Sequence, residues 1–137
     1  MTSLISTTTL TPEQKTAAEQ LIATVQQFDH TYRSPYLSNQ FNVFPEMKSF
    51  FLAYDHEKLV GIVTLYADEP VDGTVDVTAN VLPTYRRRKI ATTLWQEALN
   101  ELHQFGYHDY EFTTERTFLK ANPDFLMHSQ LVEADEN

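Results

Sequence analysis

The stretch KLVGIVTLYA, residues 58–67, constrains the fold of this chain more than any other. From Leu59 to Ala67 it is almost unbroken apolar sequence, rich in Leu, Val and Ile. A run of that length and composition is a strand buried on both faces. Such a strand lies in the middle of a sheet, covered above and below. The run is far too short to cross a bilayer as a helix. A second apolar run, Phe50 to Tyr54, precedes it, with Asp55-His56-Glu57-Lys58 between them. The pair reads as an antiparallel hairpin with a four-residue loop.

The other elements follow from period and punctuation. Residues 3–9, rich in Thr, Ser and Ile, suit a short first strand. Thr11-Pro12-Glu13-Gln14 is a helix start: Thr11 caps, Pro12 fits the first helical position, and Gln14 completes a capping box. Ala18, Leu21, Ile22, Val25 and Phe28 then repeat at a helical period. From Asp29 to Pro45 the period is lost. Pro35, Asn39, Asn42 and Pro45 mark a loop there, with room for a short second helix. Beyond the hairpin, Asp68 to Gly73 is a turn. Residues 74–81 then alternate, with Val75, Val77, Ala79 and Val81 on one face and Asp76, Thr78 and Asn80 on the other. Pro83 ends this strand. Ile90, Leu94, Ala98, Leu102 and Phe105 form the apolar face of a helix that Gly106 caps. Residues 107–114 suit a fifth strand. A last helix runs from Phe118 to about Ser129, starting or kinking at Pro123. The acidic end of the chain reads as solvated. The order gives a mixed α/β sheet in a single domain over residues 1–137, with 42% apolar residues to fill one core.

Charge narrows the function. The chain has 19 acidic and 10 basic residues and a formal net charge of −9. An acidic body repels phosphate backbones, so nucleic acid is a poor partner. With no cysteine there are no disulfides, thiolate nucleophiles or zinc-thiolate sites. The histidines at 30, 56, 103, 108 and 128 show no metal spacing, and no metal is expected. The N-terminus has neither the basic residues nor the apolar run of a secretory signal, which points to a cytoplasmic protein with no membrane partner. Nucleotide-loop, dinucleotide, serine-hydrolase and zinc-protease motifs are all missing.

Four of the ten basic residues stand together, as Arg86, Arg87, Arg88 and Lys89. They sit where a strand passes through a short loop into a helix. The first turn of a helix has unpaired N–H groups and the positive end of the helix dipole, and cationic side chains reinforce it. The physical reading is a pocket for a phosphate or pyrophosphate. A nuclear-import or nucleic-acid patch, or a merely solvated basic turn, are the competing readings.

The stretch Val81-Leu82-Pro83-Thr84-Tyr85, followed by Arg86-Arg87-Arg88-Lys89-Ile90-Ala91, resembles the main motif of the GNAT acetyltransferase superfamily. That motif is a strand, a Val-x-Pro-x-Tyr-Arg run, then Arg/Gln-x-x-Gly-x-Gly/Ala opening a helix. The upstream YDHEKLVGIVTLY resembles the family's hairpin, and Asn122-Pro123 resembles the start of its last helix. The resemblance covers nearly the whole chain. It implies antiparallel strands two to four and a parallel fourth and fifth pair splayed for coenzyme A, with helices on both faces. It further implies an acyltransferase that moves an acetyl group from acetyl-CoA directly to a primary amine. Carried over, Val81 and Leu82 face the pantetheine through backbone groups. Arg86, Arg87, Arg88, Lys89, Ile90, Ala91 and Thr92 surround the phosphates, and Asn122 touches the pantetheine.

Two positions depart from the pattern. Lys89 stands where the family has glycine, and the segment FLMHSQ holds no Tyr to protonate the leaving thiolate, so His128 or Ser129 lies nearest. The resemblance also implies two further strands after the last helix, which a homodimer or a tandem-domain partner would have to supply. Candidates for the base that accepts the amine proton are Asp76, Glu111 and Glu115. The acceptor is a small amine or a protein amine, and an acidic cleft would favour a cationic one. The alternative is a GNAT-like domain that has lost catalysis and serves as a binding or assembly module.

Overall fold

A computed structural model describes residues 2–30, 35–86 and 88–112. A five-stranded sheet runs in the order β1 (Thr2–Thr7), β2 (Phe50–Asp55), β3 (Lys58–Tyr66), β4 (Thr74–Val81), β5 (Asp109–Phe112). The first four are antiparallel neighbours, and β5 joins β4 in parallel. Helix α1 (Pro12–Asp29) connects β1 to the loop before β2, and α2 (Ile90–Gln104) connects β4 to β5. Both helices pack on β3 and β4 without substantial contact with each other, which places them on opposite faces of the sheet. Every residue of β3 from Leu59 to Leu65 is buried, as a strand covered on both sides requires.

The helix starts obey local chemistry. Gln14 N–H donates to Thr11 Oγ1 at 3.1 Å, and Thr11 N–H donates to Gln14 Oε1 at 2.9 Å, the reciprocal pair of a capping box. The buried stripe of α1 is Ala18, Leu21, Ile22, Val25 and Asp29. Phe28 is not on it. It is 61% exposed, because four residues beyond Val25, not three, falls on the core side, and that place belongs to Asp29. At the end of α2, Gly106 adopts φ +91°, a left-handed conformation suited to glycine after a helix.

The hairpin is tighter than its polar residues suggest. Asp55 pairs with Lys58, leaving His56 and Glu57 as a two-residue turn with His56 left-handed at φ 59°. The register slips between Ala53, opposite Gly61, and Tyr54, opposite Leu59, so Val60 is the extra residue of a bulge. No helix forms among the described residues 35–49. Buried Asn42 ties this segment down instead. It donates through Nδ2 to Ser49 Oγ at 2.8 Å and accepts from Ala67 N–H at 2.9 Å. The first strand ends at Thr7 instead of Thr9 and the fifth begins at Asp109 instead of Tyr107, while residues 113–114 and the last helix (118–129) lie outside the described residues.

In β4, Val75, Val77, Ala79 and Val81 are buried while Asp76, Thr78 and Asn80 are partly exposed. Cross-strand neighbours share a face. Gly61, opposite Val81, looks onto Ile90 and Leu94, so the apolar face of β4 lies under α2. The polar face, with Ile62, Thr64 and Tyr66 of β3, looks the other way.

Candidate active site

The basic loop is built by the end of β4 and the start of α2. Leu82 N–H donates to Val60 O at 2.9 Å, which keeps the chain beside β3 for one more residue. Pro83–Tyr85 form a single 3-10 turn. Lys89 then takes φ 61° and ψ 25°, and α2 begins at Ile90. A left-handed residue followed by a right-handed one turns successive N–H groups to the same side, and such a concavity binds anions. Glycine reaches this conformation without strain, whereas a side chain resists it by roughly 1–2 kcal/mol. Lys89 therefore holds the backbone shape that a glycine would give.

The two helix starts contrast sharply. The N-terminus of α1 is closed by its own capping box, but Lys89 offers α2 no side-chain cap. The first helical bond is Thr93 N–H to Lys89 O at 2.9 Å, so the N–H groups of Ile90, Ala91 and Thr92 precede the ladder. The first turn of α2 carries no acidic residue, and Arg88 and Lys89 are exposed beside it. Donors ahead of the ladder, a positive dipole end and two cations give this spot a local field that favours an anion.

Bonds on two sides brace the loop. Tyr85 Oη donates to Asp55 Oδ2 at 2.6 Å, and the Arg88 guanidinium lies 4.9 Å from the Tyr85 ring centre. That bond, followed by the one to His56, holds the Asp55 carboxyl below its ordinary pKa. On the other side Arg86 donates through Nη1 and Nη2 to the two oxygens of Asp29, at 2.8 and 2.7 Å, and through Nε to Val81 O at 3.1 Å. Both side chains are buried, with 5% and 2% exposure. The Arg86 guanidinium is thus bound to α1 and β4 within the protein.

Val81, Leu82, Arg86, Arg88, Lys89, Ile90, Ala91 and Thr92 accordingly lie along one continuous strand–loop–helix connection. Arg87, Asn122 and His128, with Glu115 and Ser129, fall outside the described residues. Asp29 and Asp55 were missed. The signal for Asp29 was present, since an acidic residue on the apolar stripe of a helix implies a buried partner.

The acceptor-side candidates converge on the far end of β4. Asp76 stands opposite Tyr66 of β3 and opposite Glu111 of β5. Partial burial raises the Asp76 carboxyl above its ordinary pKa, and the nearby charges of Glu111, Asp68 and Glu69 add to this. Burial raises the Tyr66 hydroxyl too, with Asp68, Tyr36 and Asp76 contributing. Tyr36 meets Tyr66 edge-on at 5.8 Å and stacks on Phe41 at 5.7 Å. Tyr36 and Phe41 are 42% and 57% exposed, so an aromatic strip leads from solvent to the carboxylates. Phe44 packs inward against Phe105 and Tyr107. His103 bonds to Tyr110 Oη at 2.6 Å, and no described cluster of His, Asp and Glu has the makings of a metal site. No described helix is long and apolar enough to cross a membrane.

The sequence model described as the Acetyltransferase (GNAT) family matches residues 15–125. Solved structures share the fold. A GNAT-family acetyltransferase from Staphylococcus aureus Mu50 has a TM-score of 0.70 at 18% identity, over 93% of this chain and 82% of its own. An aminoglycoside acetyltransferase from an uncultured soil metagenomic sample, in complex with sisomicin, has a TM-score of 0.65 at 15% identity, over 99% and 91%. A ribosomal-protein-alanine N-acetyltransferase from Brucella melitensis has a TM-score of 0.64 at 16% identity, over 99% and 94%. No curated protein matches the sequence.

Proposed function

This chain belongs to the GNAT acetyltransferase family, and from that premise we propose that it transfers acetyl from acetyl-CoA to the primary amine of a cationic acceptor in the cytoplasm. The observation that carries the cofactor half is the open N-terminus of α2 behind a left-handed Lys89. The pyrophosphate of coenzyme A meets the N–H groups of Ile90, Ala91 and Thr92, with Arg87, Arg88 and Lys89 supplying charge. The backbone of Val81 and Leu82 lines the pantetheine, and Asn122 is a further contact to it. The reading as a module without catalysis leaned on Lys89 in place of glycine, on the Tyr that FLMHSQ lacks and on the family's two further strands; the left-handed Lys89 backbone supports the catalytic reading on the first of these alone.

The acceptor half rests on Asp76, Glu111 and Asp68 at the end of the aromatic strip. Carboxylates and ring faces together attract an ammonium group. An amine attacks only as the free base, and Asp76, with its raised pKa, accepts the proton directly or through water, with Glu111 beside it. Acetyl-CoA supplies an activated acyl carbonyl. A carbon–nitrogen bond forms as the carbon–sulfur bond breaks, the nitrogen releases its second proton to water, and His128 donates a proton to the sulfur.

Titration with coenzyme A, followed by acetylation assays on sisomicin, spermidine and a peptide with N-terminal alanine, tests both halves. Ligand at about 100 times its Kd should add roughly 2.7 kcal/mol of stability. Alanine at both Arg88 and Lys89 should remove most of that gain. The absence of any thermal shift at millimolar acetyl-CoA sinks the cofactor half. Binding with no turnover on any amine returns the chain to the non-catalytic alternative.

A further inference from the structure

The buried Asp29–Arg86 pair has a geometry that stability alone does not account for. Burying two charges is costly, and apolar side chains of similar size often stabilise as well or better. What a planar guanidinium provides is fixed direction. Here three of its bonds reach two separate elements. Nε holds Val81 O at the last residue of β4, and the two terminal nitrogens hold Asp29 at the last residue of α1. Arg86 itself closes the 3-10 turn and lies three residues before Lys89. One side chain therefore sets where the loop leaves the sheet and how it approaches the start of α2. Asp29 in turn leads into the segment that carries Tyr36 and Phe41 on the acceptor side.

We propose that Arg86 and Asp29 are a positioning pair: they touch neither substrate, but hold the basic loop in its anion-binding shape and fix it to the element that feeds the acceptor side. This gives Arg86 a role apart from the other cations of the run, Arg88 and Lys89, whose side chains are exposed. The proposal rests on the cofactor reading above, and its test separates the two.

The test uses the double variant Asp29→Leu with Arg86→Met, and the single variant Arg86→Lys. The double variant removes both charges, so it should keep a melting temperature near the parent's. Hydrogen exchange reads the loop without any ligand. The hydrogen-bonded amides of Leu82, Tyr85 and Thr93, which bound the loop, should exchange faster in both variants, while those of β2 and β3 keep the parent's rates. Affinity for coenzyme A and KM for acetyl-CoA should each worsen on the order of 10-fold to 100-fold, the scale of a small misplacement, with kcat at saturation changing far less. Arg86→Lys keeps a positive charge but not the fork, so it should not restore the parent's values. It also carries the test if the double variant fails to fold. Parent-like exchange at Leu82, Tyr85 and Thr93 in a folded variant overturns the proposal, as does parent-like affinity for coenzyme A. A parent that binds no coenzyme A overturns the cofactor reading instead, and the exchange result still decides the role of the pair.

Discussion

Asp76 and Glu111 are register partners across the parallel β4–β5 pair, and the charge of Glu111 acts on the Asp76 carboxyl. Like charges placed so oppose the pairing, and burial of Asp76 adds to the cost. Because its folded pKa is raised, Asp76 binds its proton more readily in the folded state. Its unfavourable contribution is absent below the ordinary carboxylate range and grows as pH rises through the raised value. Asp76→Asn should therefore stabilise the protein near neutral pH, by a few tenths of a kcal/mol after solvent screening. Near pH 3 it should have no effect. Calorimetry at both pH values checks the sign. The same variant should lower kcat/KM about 100-fold or more if Asp76 is the base. A variant less stable at neutral pH, or equally stabilised at both, contradicts the arrangement.

Lys89→Gly tests the left-handed residue. Relief of its backbone strain favours the folded state by roughly 1–2 kcal/mol, and the freer unfolded chain offsets about half of that. A net gain of about 0.5–1 kcal/mol should appear as a higher melting temperature. Coenzyme A should still bind, because the N–H groups keep their places, but the affinity should depend less on salt with one cation removed. Loss of stability on this substitution would falsify the conformation assigned to Lys89.

The sequence revealed what is local. The capping box at Thr11 and Gln14 is a four-residue pattern, and the polar face of β4 shows as simple alternation. What it concealed was set by distant partners or by a single torsion. Asp29 and Arg86 are 57 positions apart, so no short-range period relates them. Asp55 and Lys58 looked like loop because they are polar, yet at the end of a hairpin they pair across it. Lys89 looked like a defect in a glycine motif, because a residue's identity gives its preferred conformation and not the one its neighbours impose. For the same reason Arg86 could be counted with the phosphate cations until its partner was visible.

Tyr85→Phe tests the brace between the hairpin and the basic loop. The Tyr85 bond is the main cause of the lowered Asp55 pKa. A lowered carboxylate contributes stability above its unfolded pKa and loses it as pH falls through the folded one. The parent should therefore melt above the Phe variant near pH 7, and the gap should narrow as pH falls through the lowered Asp55 pKa of the folded protein, where Asp55 becomes protonated in both states. Melting curves across that range decide it. A gap that stays constant with pH would mean that the hydroxyl acts through something other than Asp55.

Gly61→Ala tests how closely the sheet and the anion-binding helix are packed. A Cβ at Gly61 would lie 2.9 Å from Ile90 Cγ2, with Val81 Cγ2 at 3.5 Å and Leu94 Cδ1 at 3.6 Å behind it. The Ile90 methyl sits on a branched carbon with a stiff torsion and cannot swing aside as the end of a long chain would. Ile90 is also the first residue of α2, so the clash pushes on the turn proposed to hold the coenzyme A phosphates. Overpacking of this kind costs about 1–3 kcal/mol. The alanine variant should melt several degrees lower and bind coenzyme A more weakly. Adding Ile90→Val leaves the offending carbon in place, since valine keeps two methyl groups on Cβ, and should restore little. Adding Ile90→Ala removes that methyl and should recover binding, although the apolar contact it loses leaves stability below the parent. Coenzyme A titrations of the three variants read the order, and equal affinity across them would show that this contact does not set the start of α2.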